Sequence, residues 1–181
     1  MFVLYALAAG VVIGLLTGGR LDRLDGLGLR WVPLALIGLG IQLVLFIGPV
    51  GDAVGTLGSA IYVVSTGAVL VFVLRNIRLT GLPIVALGAA LNLAAIMANG
   101  GVMPTTEAAL TAAGLDPTDG FSNSAIVAAP VLAPLTDVLA LPSWLPLANV
   151  FSIGDLLIGV GVAVAIAAAM RRPVPGRTSP G

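Results

Sequence analysis

Five long apolar runs, separated by short polar breaks, limit what this chain can fold into more than any other feature. The runs cover residues 2–18, 32–48, 57–74, 82–98 and 151–170. A helix needs roughly 20 apolar residues to cross a hydrocarbon core about 30 Å thick. The chain is 59% hydrophobic with a mean hydropathy of +1.13, which is too apolar for a soluble domain. The sequence therefore predicts an all-α integral membrane protein with about five transmembrane helices.

The arginines predict how these helices are oriented. Basic residues near helix ends mark the cytoplasmic side of a membrane protein. With five crossings, all eight basic residues fall on one side, in the first loop, the third loop and the tail: Arg20, Arg23, Arg30, Arg75, Arg78, Arg171, Arg172 and Arg177. We therefore expect the amino terminus outside and the carboxyl terminus in the cytoplasm. Arginine without lysine is typical of GC-rich bacterial genomes, so the expected location is a bacterial inner membrane.

This arrangement gives one transmembrane domain over residues 1–172 and a disordered cytoplasmic tail over 173–181. It leaves a long outer loop, 99–150, between the fourth and fifth helices. A sixth span at 124–147 is disfavoured, because its four prolines and Asp137 would interrupt a membrane helix. A shallow re-entrant hairpin or a set of interfacial segments fits this part of the loop better.

Short signals add detail around the predicted spans. Pro104 and Gly114 bracket a short surface helix over 105–113, for which Thr105 is the expected amino-terminal cap. Trp31 and Trp144 are expected to anchor their segments at the headgroup level, where tryptophan is enriched.

Missing residue types narrow the possible chemistry. The chain has no cysteine and no histidine, which excludes heme ligation, cysteine nucleophiles and the Ser-His-Asp arrangement, and leaves no ligands for a typical zinc site. The formal net charge is zero, so no nucleic-acid partner is expected. We predict no cofactor and no bound metal. The expected partners are the lipid bilayer and, in addition, another membrane protein or a second copy of the chain.

Small residues recur every fourth position along the first helix: Ala6, Gly10, Gly14 and Gly18. Two overlapping Gly-x-x-x-Gly motifs of this kind let a second helix approach closely. The pattern does not say whether that helix belongs to the same chain or to another copy, so intramolecular packing and homo-oligomer contact both remain open.

Polar residues concentrate where the fourth helix ends and the fifth begins. A carboxylate just inside a membrane helix is costly, which makes Asp155 a candidate for function. We predict that Asn99, Asn149, Ser152 and Asp155 converge beneath the outer loop, because partly buried polar groups must find partners. Asn92 and Asp137 are further candidate members of this binding or structural cluster. Tying the loop to the helix ends and binding a ligand are both compatible with the pattern.

The motifs that hold these residues resemble an uncharacterised family of bacterial multi-pass membrane proteins, known only as a domain of unknown function. The resemblance rests on Asn99-Gly100-Gly101-x-Met103-Pro104, Glu107-Ala108-Ala109-Leu110, Ala113-Gly114-Leu115, Leu135-x-Asp137-x-Leu139-x-Leu141-Pro142 and Asn149-Val150-Phe151-Ser152-Ile153-Gly154-Asp155. It covers essentially the whole chain and implies a membrane location. One departure is Thr136, where the resemblance implies a glycine. The resemblance brings no activity with it.

Three classes of function follow. The first is a non-enzymatic membrane protein with a polar pocket or docking site on its outer face. The second is a small transporter or channel component, in which Gln42, Asn92 and Asp155 would face one aqueous path. The third is a membrane enzyme that uses Asp137 and Asp155 as paired carboxylates. The third ranks lowest, because no basic residue on the outer face could hold a phosphate substrate.

Overall fold

The computed structural model describes residues 2–46, 53–54, 57–116 and 124–172. The predicted tail at 173–181 and the end of the second apolar run lie outside these residues. The described chain is mostly helical. Its α-helices are α1 (Phe2–Leu16), α2 (Val32–Leu45), α3 (Leu57–Arg75), α4 (Leu82–Ala98), α5 (Glu107–Ala113) and α6 (Ile153–Met170). Two short 3-10 helices lie at Leu21–Leu27, after α1, and at Ala133–Leu135, between α5 and α6.

Two described helices, α3 and α6, are long and apolar enough to cross a membrane, which fits a membrane protein. A third span arises if α1 and the 3-10 helix that follows it, which meet at a bend of 117°, are taken together. The helices α2 and α4 are also apolar but have only 14 and 17 residues. Helix length and composition thus provide two to three spans among the described residues, fewer than the five predicted.

Local sequence signals account for the helix ends. Pro33 and Pro83 lie in the first turns of α2 and α4, where a missing backbone N–H does no harm. After α4, Gly100 and Gly101 have φ of 71° and 87°, a left-handed conformation that favours glycine. The short helix α5 ends at Gly114 as predicted, but its cap is Thr106 and not Thr105. The Thr106 hydroxyl accepts a hydrogen bond from the Ala109 amide at 3.1 Å.

The long helices pack in the order α2, α3, α4, α6 and α1, so α6 lies between α4 and α1. The predicted small-residue face of α1 packs against α6 of the same chain. A side chain at Gly10 would lie 2.8 Å from the Ala163 Cα atom, and one at Gly14 would lie 3.0 Å from the Met170 Cε atom. In the described residues, this face of α1 therefore makes an intramolecular contact. Ala6 is also buried in the contact.

Gly18 does not take part in this packing, contrary to the prediction. The helix α1 ends at Leu16, and Gly18 follows it with φ of 78°. A β-carbon at this position would meet no heavy atom within 4 Å apart from its chain neighbours. Its glycine serves the turn into the 3-10 helix.

A second glycine face joins α4 to α6. Gly81 directly precedes α4, and Gly88 lies on that helix. Gly154 and Gly161 lie on α6, and in each pair the two glycines are seven residues apart. A side chain at Gly88 would lie 2.9 Å from the Ile158 amide nitrogen, and one at Gly161 would lie 2.7 Å from the Gly81 carbonyl oxygen. The backbones of these helices therefore approach so closely that only glycine fits.

The described residues between α4 and α6 form a small unit, which we call the loop module (99–116 and 124–152). Its strands are β1 (Met103–Thr105), β2 (Ser124–Ile126), β3 (Leu139–Ala140) and β4 (Val150–Phe151). The strand β1 pairs with β2 in parallel, and β3 pairs with β4 in antiparallel register. The prediction of an all-α chain missed these strands, because each has only two or three residues.

The helix α5 covers this module and buries a small apolar core of its own. Ala109, Leu110 and Ala113 from α5 pack with Val150 of β4. Thr136 of the loop module is fully buried, and its φ of −87° and ψ of 177° are ordinary extended values. The backbone there does not require the glycine that the family resemblance implied.

Candidate functional site

Three polar side chains meet where α4 faces the start of α6: Asn92, Ser152 and Asp155. The Asn92 amide nitrogen donates to the Asp155 Oδ1 atom at 2.8 Å. The Ser152 hydroxyl lies 2.8 Å from the Asn92 Oδ1 atom and 3.1 Å from the Asp155 Oδ2 atom. We call these three residues the polar cluster. The polar cluster links α4 to α6 and to the end of the loop module.

The start of α6 fixes two members of the polar cluster. Ser152 is the amino-terminal cap, and its hydroxyl accepts a hydrogen bond from the Asp155 amide at 3.0 Å. In return, the Ser152 amide donates to the Asp155 Oδ2 atom at 3.1 Å, which completes a capping box. A carboxylate in this position also interacts favourably with the helix dipole. The local sequence is therefore enough to orient Asp155 without any contact from α4.

Glycine allows the third member to reach the other two. A side chain at Gly154 would lie 2.6 Å from the Asn92 Cγ atom and 2.8 Å from the Gly88 carbonyl oxygen. Ser152 is fully buried, whereas Asn92 and Asp155 are partly buried. The hydrogen-bonding groups of the polar cluster are therefore largely satisfied by one another, an arrangement suited to holding helices together.

Asn99 and Asn149 bond elsewhere, so the predicted four-residue convergence is wrong for these two. Asn99 is the carboxyl-terminal cap of α4, and its side-chain amide exchanges two hydrogen bonds of 2.9 Å with the Val131 main chain. The Asn149 Oδ1 atom accepts from the adjacent Val150 amide at 2.9 Å. The strand β4 separates Asn149 from α6, so Asn149 does not lie on the first turns of that helix.

Asp137 occupies a different position in the loop module. It is only 2% exposed and forms a bridge with Thr105 beside β1. The Asp137 amide donates to the Pro104 carbonyl at 2.9 Å, and the Asp137 carbonyl accepts from the Thr105 hydroxyl at 2.8 Å. Its main chain thus belongs to the small sheet. Asp155 is held by Ser152 and Asn92, at the start of α6.

The amides that a transport path would need lie in different helix interfaces. Gln42 of α2 donates to the Thr66 hydroxyl of α3 at 3.1 Å. Asn92 lies between α4 and α6, on the other side of α3 in the packing order. Among the described residues, no group of three acidic side chains is placed to hold a metal ion.

The loop module exposes large apolar side chains. Trp144 is 78% exposed, and Leu132 and Leu147 are about half exposed. Leu132 and Leu147 also have φ of 56° and 59°, left-handed values that cost a residue with a β-carbon roughly 1–2 kcal/mol. The neighbouring Pro146 carbonyl accepts a hydrogen bond from the Tyr5 hydroxyl of α1. This turn of the module therefore rests against the first turn of α1.

Asn76, buried just after α3, is a structural residue that the sequence patterns did not mark. Its side-chain amide exchanges two hydrogen bonds of 2.8 Å with the Arg30 main chain and donates a third, of 2.9 Å, to the Phe72 carbonyl. Asn76 thereby fixes the segment before α2 to the end of α3. The available signal was an amide between two arginines directly after an apolar run.

Arginines also gather around the end of α6. The Met170 carbonyl accepts from the Arg20 amide at 2.8 Å and from the Arg23 guanidinium at 3.3 Å. Cationic groups stabilise this end of a helix. The exposed Arg20 guanidinium also forms a 2.9 Å ion pair with Asp22, and this hydrogen-bonded contact lowers the pKa of the Asp22 carboxyl.

Comparison with known proteins gives a family but no activity. The model of one protein family, DUF5317, matches residues 26–167, and this family is described as one of unknown function. The match includes the polar cluster and the loop module. No curated protein and no solved structure matches the chain.

Proposed function

This chain belongs to DUF5317, a family of unknown function, and from its own geometry we propose a non-enzymatic membrane protein whose loop module docks another membrane protein. The observation that carries the proposal is the exposure of large apolar side chains on a module that is firmly held. Trp144, Leu132 and Leu147 stay exposed even though two of them occupy costly backbone conformations. Strain of this kind concentrates at functional surfaces.

The attachment of the module supports this role. The polar cluster holds one end of the module to α4 and α6, and the Asn99 side chain holds Val131 to the carboxyl-terminal end of α4. The stacked rings of Phe2 and Phe151, with centroids 4.7 Å apart, add a contact to α1. A surface fixed at several points loses little conformational entropy when a partner binds.

The membrane topology is part of the proposal. We propose five crossings in a bacterial inner membrane, with the loop module outside. The described arginines support it, because they lie at the helix ends opposite the loop module, near the ends of α1, α3 and α6. The shorter helices α2 and α4 would cross with help from flanking residues or local thinning of the bilayer.

Another membrane protein is the occupant that fits this surface best. The turn that carries Trp144 rests against the first turn of α1 through Tyr5, so it would lie near the outer membrane surface. A partner anchored in the same membrane would meet this turn without first being captured from solution. Tryptophan is also one of the residues enriched among the side chains that contribute most to binding near the centres of protein interfaces.

The alternative functions have less support. A transport path would have to connect Gln42 with Asn92, yet each bonds within its own helix interface. An enzyme with paired carboxylates would need Asp137 beside Asp155, yet these residues are tied to separate elements.

Cysteine labelling tests the topology directly, because the chain has no native cysteine. Single cysteines at positions 23, 75 and 107 would be exposed in intact cells to a reagent that cannot cross the membrane. We expect labelling at 107 only, and labelling at all three after the cells are opened. Labelling at 23 or 75 in intact cells would contradict the five-span orientation.

Site-specific crosslinking tests the docking role. A photoreactive amino acid would replace Trp144, and a matched control would place it at Thr111, which is exposed on α5 but polar. In native membranes we expect one recurring membrane-protein adduct from position 144 and none from position 111. A second copy of this chain in that adduct would identify the partner as a homo-oligomer. Adducts with lipid alone would refute the proposal.

A further inference from the structure

The end of the molecule that lies away from the loop module contains a cavity that the proposed function does not use. Its volume is about 430 Å³, and it lies between the segment before α2 and the end of α3. Three arginines line it: Arg30 from the first segment, and Arg75 and Arg78 from the second. None of its lining residues is acidic.

The two walls of this basic cavity (Gly28, Arg30 and 74–79) are fixed to each other. Asn76 is 6% exposed and exchanges two 2.8 Å hydrogen bonds with the Arg30 main chain. The backbone that carries Arg30 is therefore held against the backbone that carries Arg75 and Arg78. Pre-organisation of this kind reduces what a ligand must order on binding.

The positive charge of the basic cavity is not neutralised by the described part of the chain. Within residues 2–46, 53–54, 57–116 and 124–172, one ion pair forms, between Arg20 and Asp22, and neither residue lines the cavity. The Arg75 guanidinium instead lies 5.5 Å from the ring centroid of Trp31, a cation–π contact that holds it in place. Trp31 is itself 55% exposed.

We propose that the basic cavity binds the phosphate group of an anionic phospholipid headgroup. Guanidinium groups form paired hydrogen bonds with phosphate oxygens. In the proposed topology the cavity opens at the cytoplasmic leaflet, which is rich in anionic lipids, and basic pockets between helices on that side bind such headgroups. Trp31 would lie beside it at the headgroup level. The inference rests on the proposed membrane placement but not on the docking role of the loop module.

The competing explanation is purely structural. Arg75 lies in the last turn of α3, where a cation offsets the negative end of the helix dipole. That role needs no ligand and no particular lipid. An experiment that compares lipids of different charge separates the two explanations.

Trp31 provides the readout, because the chain has only one other tryptophan. The full chain with Trp144→Phe would be reconstituted in nanodiscs that contain brominated phosphatidylglycerol or brominated phosphatidylcholine at equal mole fraction. Bromine quenches a nearby indole, so the difference in quenching measures lipid preference next to Trp31. We expect stronger quenching by phosphatidylglycerol.

The test variant is Arg30→Gln with Arg78→Gln, which leaves the Arg75 contact with Trp31 intact. Each juxtamembrane arginine contributes about fivefold to the binding of an anionic lipid, so the loss of two should lower the preference by at least about fivefold and by up to about 25-fold. The control is Arg171→Gln with Arg172→Gln, which removes the same charge beyond α6 and should leave the preference unchanged. An unaltered elution volume and an unaltered melting temperature would verify that each variant is folded.

Three results would overturn the proposal. The first is equal quenching by the two lipids in the parent protein. The second is an equal loss in the control variant, which would indicate a diffuse surface charge. The third combines two observations. Trp31 fluorescence responds to inorganic phosphate but not to chloride at equal ionic strength, and Trp31 is quenched no more strongly by phosphatidylglycerol than by phosphatidylcholine. That result would assign the cavity to a free phosphate ion.

Discussion

Replacement of Gly154 by alanine should disrupt the contact between α4 and α6 more than the added methyl group would suggest. The new side chain would lie 2.6 Å from the Asn92 Cγ atom and 2.8 Å from the Gly88 carbonyl oxygen. The first obstacle is a side chain that can rotate away, whereas the second is backbone and cannot. Asn92 must therefore leave the polar cluster, and the two helices must also separate slightly.

The size of the effect follows from these two changes. Asn92 has hydrogen bonds of 2.8 Å with both Asp155 and Ser152, and inside membranes such bonds average about 0.6 kcal/mol each. Overpacking of a close contact adds roughly 1–3 kcal/mol. Gly154→Ala should therefore lower the free energy of unfolding by about 2–4 kcal/mol.

Equilibrium unfolding by sodium dodecyl sulfate in mixed micelles, followed by tryptophan fluorescence, measures this change. The matched control is Gly67→Ala in α3, where the added methyl group would meet no heavy atom within 4 Å apart from its chain neighbours and the backbone of its own helix. It should raise stability by up to about 1 kcal/mol, because alanine restricts the unfolded chain and favours a helix. Asn92→Ala combined with Gly154→Ala should cost less than the sum of the two changes, since they share one contact. Wild-type stability in Gly154→Ala would refute the close approach of α4 and α6.

Three further changes test other contacts, the first and the last by the same titration. Asp155→Asn should cost only about 1 kcal/mol, because the Asn92 amide can reverse and keep its partners, whereas Asp155→Leu leaves several donors unsatisfied and should cost about 2–4 kcal/mol. Thr106→Ala should speed hydrogen exchange at the first amides of α5 and cost about 1 kcal/mol, while Thr105→Ala should leave that exchange unchanged; the opposite pattern would restore Thr105 as the cap. Asn76→Ala removes three hydrogen bonds and should cost about 2–4 kcal/mol, and a neutral result would show that Arg30 is held by other contacts.

The sequence alone determined features that depend on neighbours along the chain. The predicted runs 57–74 and 82–98 nearly coincide with α3 and α4, because apolar length sets a helix and arginine, proline and glycine limit it. The end of α5 at Gly114 was equally readable, since a left-handed residue there favours glycine. Ser152 and Asp155 belong to one helix start, so their proximity also follows from local spacing.

The tertiary structure alone decided which distant groups meet. Asn92 and Asn99 are both amides near the end of one helix, yet Asn92 joins Asp155, 63 residues away, while Asn99 binds the loop module. The choice depends on how closely α4 approaches α6, and that approach depends on paired glycines on both helices. The short strands of the loop module are likewise formed by partners far apart in sequence. A pattern read along one segment specifies its faces and ends, but the opposing surface that completes each contact comes from another part of the chain.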